Sequence, residues 1–177
     1  MAIAVLLALV LPMPGGLVKD ENTPTLSNMK QLHLATQQMA LDGVTTDDTN
    51  IGWPGDIGGT FTNWTAQLLK GGYLSTNDLY KLFSAPGIIV KPETTTLSAT
   101  NTALLVYAVS TNRPTTDVFL STVNFTNTPT GGVLNTNAKP YPGKGFVVFR
   151  MAGDGAILQP RQAGMTNLIG TYAPLCR

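Results

Sequence analysis

Hydrophobic positions along this chain follow three different patterns. From Met1 to Leu11 every residue is apolar, and Pro12, Pro14, Gly15 and Gly16 then stop the run. The next stretch, GGLVKDENTPT, is polar and rich in breakers, and reads as a linker. After it, Leu26, Met29, Leu32, Thr36 and Met39 recur at intervals of three or four, the spacing of one helix face. Thr23 followed by Pro24 makes a helix start, a hydroxyl cap and then proline at the first helical position. Gly43 is placed to stop the helix in a left-handed conformation. The pattern predicts a helix from about Pro24 to Asp42.

The segment GVTTDDTNIGWPGDIGGTF has no period and reads as a loop. NWTAQLLKGG predicts a short helix capped by Asn63 and stopped by Gly71 and Gly72. Ser75 and Asp78 have capping-box-like spacing, and Leu74 and Leu79 sit at the two positions of a hydrophobic staple, so a third helix is predicted to end before Pro86. Beyond Pro86 the period changes. ALLVYAV, DVFLSTV and GFVVFRM are β-branched and aromatic runs between Thr, Asn, Pro and Gly clusters, which is the signature of strands. Asp154-Gly155 is a hairpin signal between the strands of Phe146 and Ile157. Helices followed by antiparallel strands define an α+β chain, with residues 1–22 as apolar helix and linker and 23–177 as one globular domain.

Composition narrows the function classes. Of the 177 residues only 12% are charged, and the net charge is +1. Up to Leu82 seven acids face four lysines, a balance of −3, and the remainder carries +4. No global field draws in nucleic acid or an anionic surface. Abundant Thr and Asn with scarce Lys and Glu resemble the composition of exported, strand-rich proteins. The single cysteine, Cys176, excludes an intrachain disulfide and a zinc site built on cysteines.

Candidate chemistry is sparse. The only histidine, His33, lies in the predicted long helix between two leucines, where a partly buried or surface helix histidine is the favoured reading over a catalytic one. Asp42, Asp47, Asp48, Asn50 and Asp56 gather hard oxygen ligands of the kind calcium takes, without EF-hand spacing, so a solvated acidic loop is the favoured reading. AGDGA lacks the lysine of a phosphate loop and precedes a strand. Trp53, Trp64, Tyr73 and Tyr80 suggest a sugar platform, but Trp64 and Tyr80 fall on helices whose pattern favours core packing. Asn63 and Asn124 head Asn-x-Thr sequons. Glu occurs only at Glu21 and Glu93, both in loops, and no enzyme signature stands out. No cofactor and no small-molecule substrate is implied.

In order along the chain, these features resemble a known family. LSNMKQLHLATQQMALDG, with Asn28, Lys30, Gln31 and Leu32 at the matching positions, resembles a segment of the G-like pseudopilins of type II secretion, relatives of type IV pilins. The acidic loop Asp42 to Asp48, Trp53-Pro54, Trp64, Leu68, Tyr73-Leu74 and FSAP (Phe83 to Pro86) follow as in that family. VVFRMAGDGAILQPRQA is similar to its strand-turn-strand ending. The chain lacks the prepilin cleavage motif and has no acid before Asp20. The family's paired cysteines fall on Thr25 and Ala85, so both are replaced together.

The resemblance implies a non-enzymatic structural subunit with a pilin-like head, which packs with identical copies or other pseudopilins. It implies residence in the bacterial cell envelope, anchored at the inner membrane with a periplasmic or extracellular head. Ile3, Val5, Leu6, Leu7, Leu9 and Val10 would carry the packing of the apolar helix. Eleven helical residues span about 16 Å, short of the roughly 30 Å hydrocarbon core, and no basic residue precedes them as in a signal peptide. The opening run therefore reads as the later part of a longer pilin-type helix. Two other readings stay open: a secreted or surface module that binds carbohydrate or cell envelope, and an enzyme built on carboxylates between Asp42 and Asp56.

Overall fold

In the computed structural model, residues 21–93 and 97–177 are described. The apolar run, with Ile3, Val5, Leu6, Leu7, Leu9 and Val10, lies outside the described residues. Among those described, no helix is long and apolar enough to cross a membrane.

Helix α1 (Thr23–Thr46) buries Met29, Leu32, Thr36 and Met39 of the predicted stripe, together with Thr25, His33 and Gly43, while Leu26 is half-buried. Both its ends differ from expectation. Asn22 rather than Thr23 takes the cap position, because its own backbone is already helical and its carbonyl accepts from the Leu26 N–H at 3.0 Å. At the far end the helix continues through Gly43, and the left-handed residue is Asp47, with φ of 56°. Gly43 is needed for space: a Cβ there would lie 2.4 Å from the Ile51 carbonyl oxygen. The glycine lets the acidic loop fold back against the helix.

Helix α2 (Phe61–Lys70) is capped by Thr60, whose hydroxyl accepts from the Asn63 N–H, while the Asn63 amide itself donates to the Ile57 carbonyl at 2.7 Å. Asn63 therefore sits inside the first turn instead of capping it. Helix α3 (Thr76–Leu82) starts as predicted, with Ser75 Oγ accepting from the Asp78 N–H and donating to its carboxylate at 2.6 Å. It ends four residues before Pro86.

Four antiparallel strands form the main sheet in the order β1-β2-β5-β6: β1 (Leu104–Val106), β2 (Val118–Thr122), β5 (Phe146–Arg150) and β6 (Gly155–Leu158). The turn between β5 and β6 occupies Met151 to Asp154, ahead of the predicted Asp154-Gly155. Gly153 supplies the positive φ of 89°. Gly155 already pairs with Phe149, and a Cβ on it would meet Leu26 of α1 at 2.4 Å. One glycine makes the turn and the other admits the helix.

Strand β1 is shorter than the ALLVYAV run because its outer edge passes to a later segment. Ala108 N–H donates to the Pro174 carbonyl at 2.7 Å and Cys176 N–H to the Val106 carbonyl at 2.9 Å. The second sheet, the hairpin of β3 (Phe125–Thr128) and β4 (Gly131–Leu134), is absent from the sequence reading, as is the short helix α4 (Thr166–Ile169). Phe125 stacks on Phe146 with centroids 4.1 Å apart, fastening that hairpin to the main sheet.

The core lies between α1, α2, α3 and the main sheet. Phe61, Trp64 and Phe83 meet edge to face, and Trp64 reaches Phe119 across the layers at 5.9 Å. Phe119 is the extra residue where β2 shifts register against β5, between Val118 and Leu120. The architecture is α+β, as the element order predicts.

Candidate functional site

The two faces of α1 carry different chemistry. On the inner face His33 is buried, 4% exposed, among the rings of Trp53, Phe119 and Phe149. Its Nε2 lies 2.9 Å from the Met151 carbonyl, which makes that nitrogen the N–H donor and leaves Nδ1 as the acceptor. Burial pushes its pKa below the ordinary value, opposed by the Met151 carbonyl and the Asp154 charge. A neutral imidazole holding the β5–β6 turn against α1 is a structural clamp. Beside it Arg150 holds the Asp154 carboxyl below the usual carboxylate range.

The acidic loop is divided between two places. Asp42, in the last turns of α1, accepts from the Tyr73 hydroxyl and the Gln38 amide, both at 2.9 Å. Burial and that carboxylate push the Tyr73 hydroxyl up. Asp47, Asp48 and Asp56 instead line one open concavity of about 280 Å³ with Gly43, Val44, Thr49 and Thr111. The Asp56 carboxylate is occupied by the Thr111 N–H and hydroxyl, the latter at 2.8 Å. Hydrogen bonds from the backbone and side chain of Asn50 hold Asp48 below the ordinary range, which suits an anion and not a proton donor. Among the described residues no group of three or more His, Cys, Asp and Glu is arranged to hold a metal ion.

On the outer face of α1 the exposed positions Lys30, Leu34, Gln37, Leu41 and Val44 repeat at intervals of four, three, four and three. Leu34 is 52% exposed, Leu41 54% and Val44 75%. This second, outward stripe went unremarked in the sequence because the inner stripe already explained a helix. Its signal was the alternating spacing itself. Beside it lies a hollow of about 190 Å³ lined by Gln37, Ala40, Leu41, Val44, Trp53 and Thr111.

The residues of the pseudopilin-like motif take these places. Asn28 donates to the Ser84 carbonyl at 3.3 Å, joining α1 to the segment after α3. Thr25, one turn earlier on the same face, is buried and hydrogen-bonded to the Tyr141 hydroxyl. Leu32, Trp64 and Phe83 are core residues, whereas Lys30, Gln31 and Pro86 are exposed. Trp53 and Trp64 are both buried, at 7% and 0% exposure, so they form no open platform for a sugar. Tyr80 is half-buried, its hydroxyl accepting from the Leu97 N–H at 3.3 Å. Of the sequon asparagines, Asn124 is buried and donates to the Gly145 carbonyl at 2.9 Å. Burial pushes the free Cys176 thiol up to about 12.

Comparison with protein-family models, curated proteins and solved structures finds no match for the chain.

Proposed function

We propose that this chain is a structural, pseudopilin-like subunit of a type II secretion or type IV pilus-like system in the bacterial cell envelope. The observation that carries the reading is the placement of α1. After the apolar run and its linker comes a 24-residue helix that lies against the antiparallel sheet and buries Leu32 of the motif in the core. The supporting order continues with Trp64 and Phe83 in the same core and Asn28 tied to Ser84. The work of such a subunit is physical. An apolar segment is held in lipid, then packed against the same segment of other subunits, while the α+β head faces water.

The test is to express the chain in a bacterium with a type II secretion system, carrying a photo-cross-linking residue at Val5 or Val10. The expected result is an envelope-associated ladder of species at multiples of 18.7 kDa, lost when Leu6 and Leu9 are both changed to Asp. Soluble monomer alone, before and after that change, refutes the reading.

A further inference from the structure

Among the described residues nothing covers the outer stripe of α1, and its ends carry opposite charge. Lys30 stands at one end and Asp47 and Asp48 at the other, and among the described residues none of the three makes an ion pair. Between them Leu34, Leu41 and Val44 are exposed along about 15 Å of helix. A stripe of this spacing is the seam on which two helices pack side by side.

The geometry points to a second copy of this chain as the occupant, with the two α1 helices antiparallel about a two-fold axis. Such a contact is self-complementary, since each copy presents the same patch reversed. With the axis near Met39, Leu34 of one copy faces Val44 of the second copy and Leu41 faces Gln37. Lys30 then points toward the acidic loop of Asp47 and Asp48, which leaves the end of the helix at the left-handed Asp47. Every apolar residue of the stripe finds a partner, and each lysine meets the acidic end of the other helix. A parallel arrangement would instead set Lys30 beside Lys30 and Asp48 beside Asp48, which is repulsive at both ends. The hollow beside Leu41 and Val44 lies where Leu34 of the second copy would enter, and the Asp47–Asp48–Asp56 concavity lies where its Lys30 would reach. This contact is separate from packing through the apolar run and stands whether or not that run assembles filaments. Its size puts it in the weak, transient class.

The experiment uses the full chain at concentrations up to several hundred micromolar. Leu34→Cys combined with Val44→Cys is expected to give disulfide-linked dimers on mild oxidation, while Leu34→Cys alone stays monomeric under the same conditions. In sedimentation equilibrium, Lys30→Glu and Asp48→Lys are each expected to weaken dimerisation about tenfold, and the two together to restore it. Restoration by the double charge swap separates this contact from association through residues 1–11, which the swap leaves untouched. Cross-linking by Leu34→Cys alone at the same rate would establish a parallel or random contact and overturn the proposal. So would an unlinked double-cysteine variant, or charge variants that leave dimerisation unchanged. Lys30, Leu34 and Val44 are exposed and Asp48 is half-buried, and an unaltered melting temperature checks each variant's fold.

Discussion

Replacing Gly43 with alanine reverses the usual effect of that change in a helix. Inside an ordinary helix, glycine to alanine stabilises by about 0.5–1 kcal/mol, because alanine loses less backbone entropy on folding. Here the new Cβ would sit 2.4 Å from the Ile51 carbonyl oxygen, 3.2 Å from the Asp48 carbonyl oxygen and 3.2 Å from Ile51 Cγ1. Carbon–oxygen contacts ordinarily lie at about 3.3–3.6 Å, so the loop after α1 must retreat by about 1 Å. The obstacle is backbone, which no rotamer change relieves. Overpacking of this kind costs about 1–3 kcal/mol, enough to exceed the propensity gain. The net expectation is a loss of about 1–2 kcal/mol, or a fall of about 2–8 °C in melting temperature for a domain of this size. Calorimetry and urea unfolding measure it. Asp47→Gly supplies the control, because Asp47 is the residue in the left-handed conformation; it is expected to be neutral or stabilising by up to about 1 kcal/mol. If Gly43→Ala stabilises the protein while Asp47→Gly destabilises it, the helix ends at Gly43 after all and the reasoning fails.

His33 makes stability depend on pH. Its folded pKa lies below the unfolded value, so the unfolded chain binds the proton more readily; stability is full above about pH 6.5 and declines as pH falls toward the lowered value. Urea midpoints between pH 5 and 7.5 should fall with acid more steeply than those of His33→Phe, which should itself lose about 1–3 kcal/mol by orphaning the Met151 carbonyl; parallel profiles refute this. Trp64→Ala should cost about 3–5 kcal/mol. Trp64→Phe should cost far less, because the buried indole N–H has no hydrogen-bond partner among the described residues to lose; equal losses by denaturant unfolding would contradict it. The Cys176 thiol, pushed up to about 12 by burial, should resist an aromatic disulfide reagent at pH 8 until the protein unfolds. Native-state labelling at the rate of a free thiol counts against that burial.

What the sequence made legible was local. The inner stripe of α1, the Ser75–Asp78 cap and the apolar runs of β2 and β5 each follow from interactions within a few residues. The features it hid depend on distant partners. Gly43 continues the helix because Ile51 folds back over it. β3 and β4 lack an apolar alternation strong enough to predict them. Their polar positions are held from outside, Asn127 N–H donating to the Tyr107 hydroxyl at 2.8 Å and the Asn127 amide to the Thr171 carbonyl at 3.1 Å. The sequence left His33 as a partly buried or surface helix residue; its burial and the carbonyl 118 positions away that fixes its tautomer were not legible. Among the site residues, the acids of one loop read as a single group. Backbone direction and the partners Tyr73 and Thr111 send Asp42 and Asp56 to different tasks.

The start of α1 also has a mechanical meaning. The Tyr141 hydroxyl donates to the Glu21 carbonyl at 3.2 Å and contacts Thr25, while Lys144 pairs with the Glu21 carboxylate at 2.7 Å. Tyr141 and Lys144 lie immediately ahead of β5, the central strand between β2 and β6. Tension on the chain ahead of Glu21 therefore enters the sheet through this loop as well as through the first turn of α1. The helix cannot be peeled away turn by turn until those side-chain ties have broken. Resistance to pulling is then set by the rate of that rupture rather than by the equilibrium stability of the head.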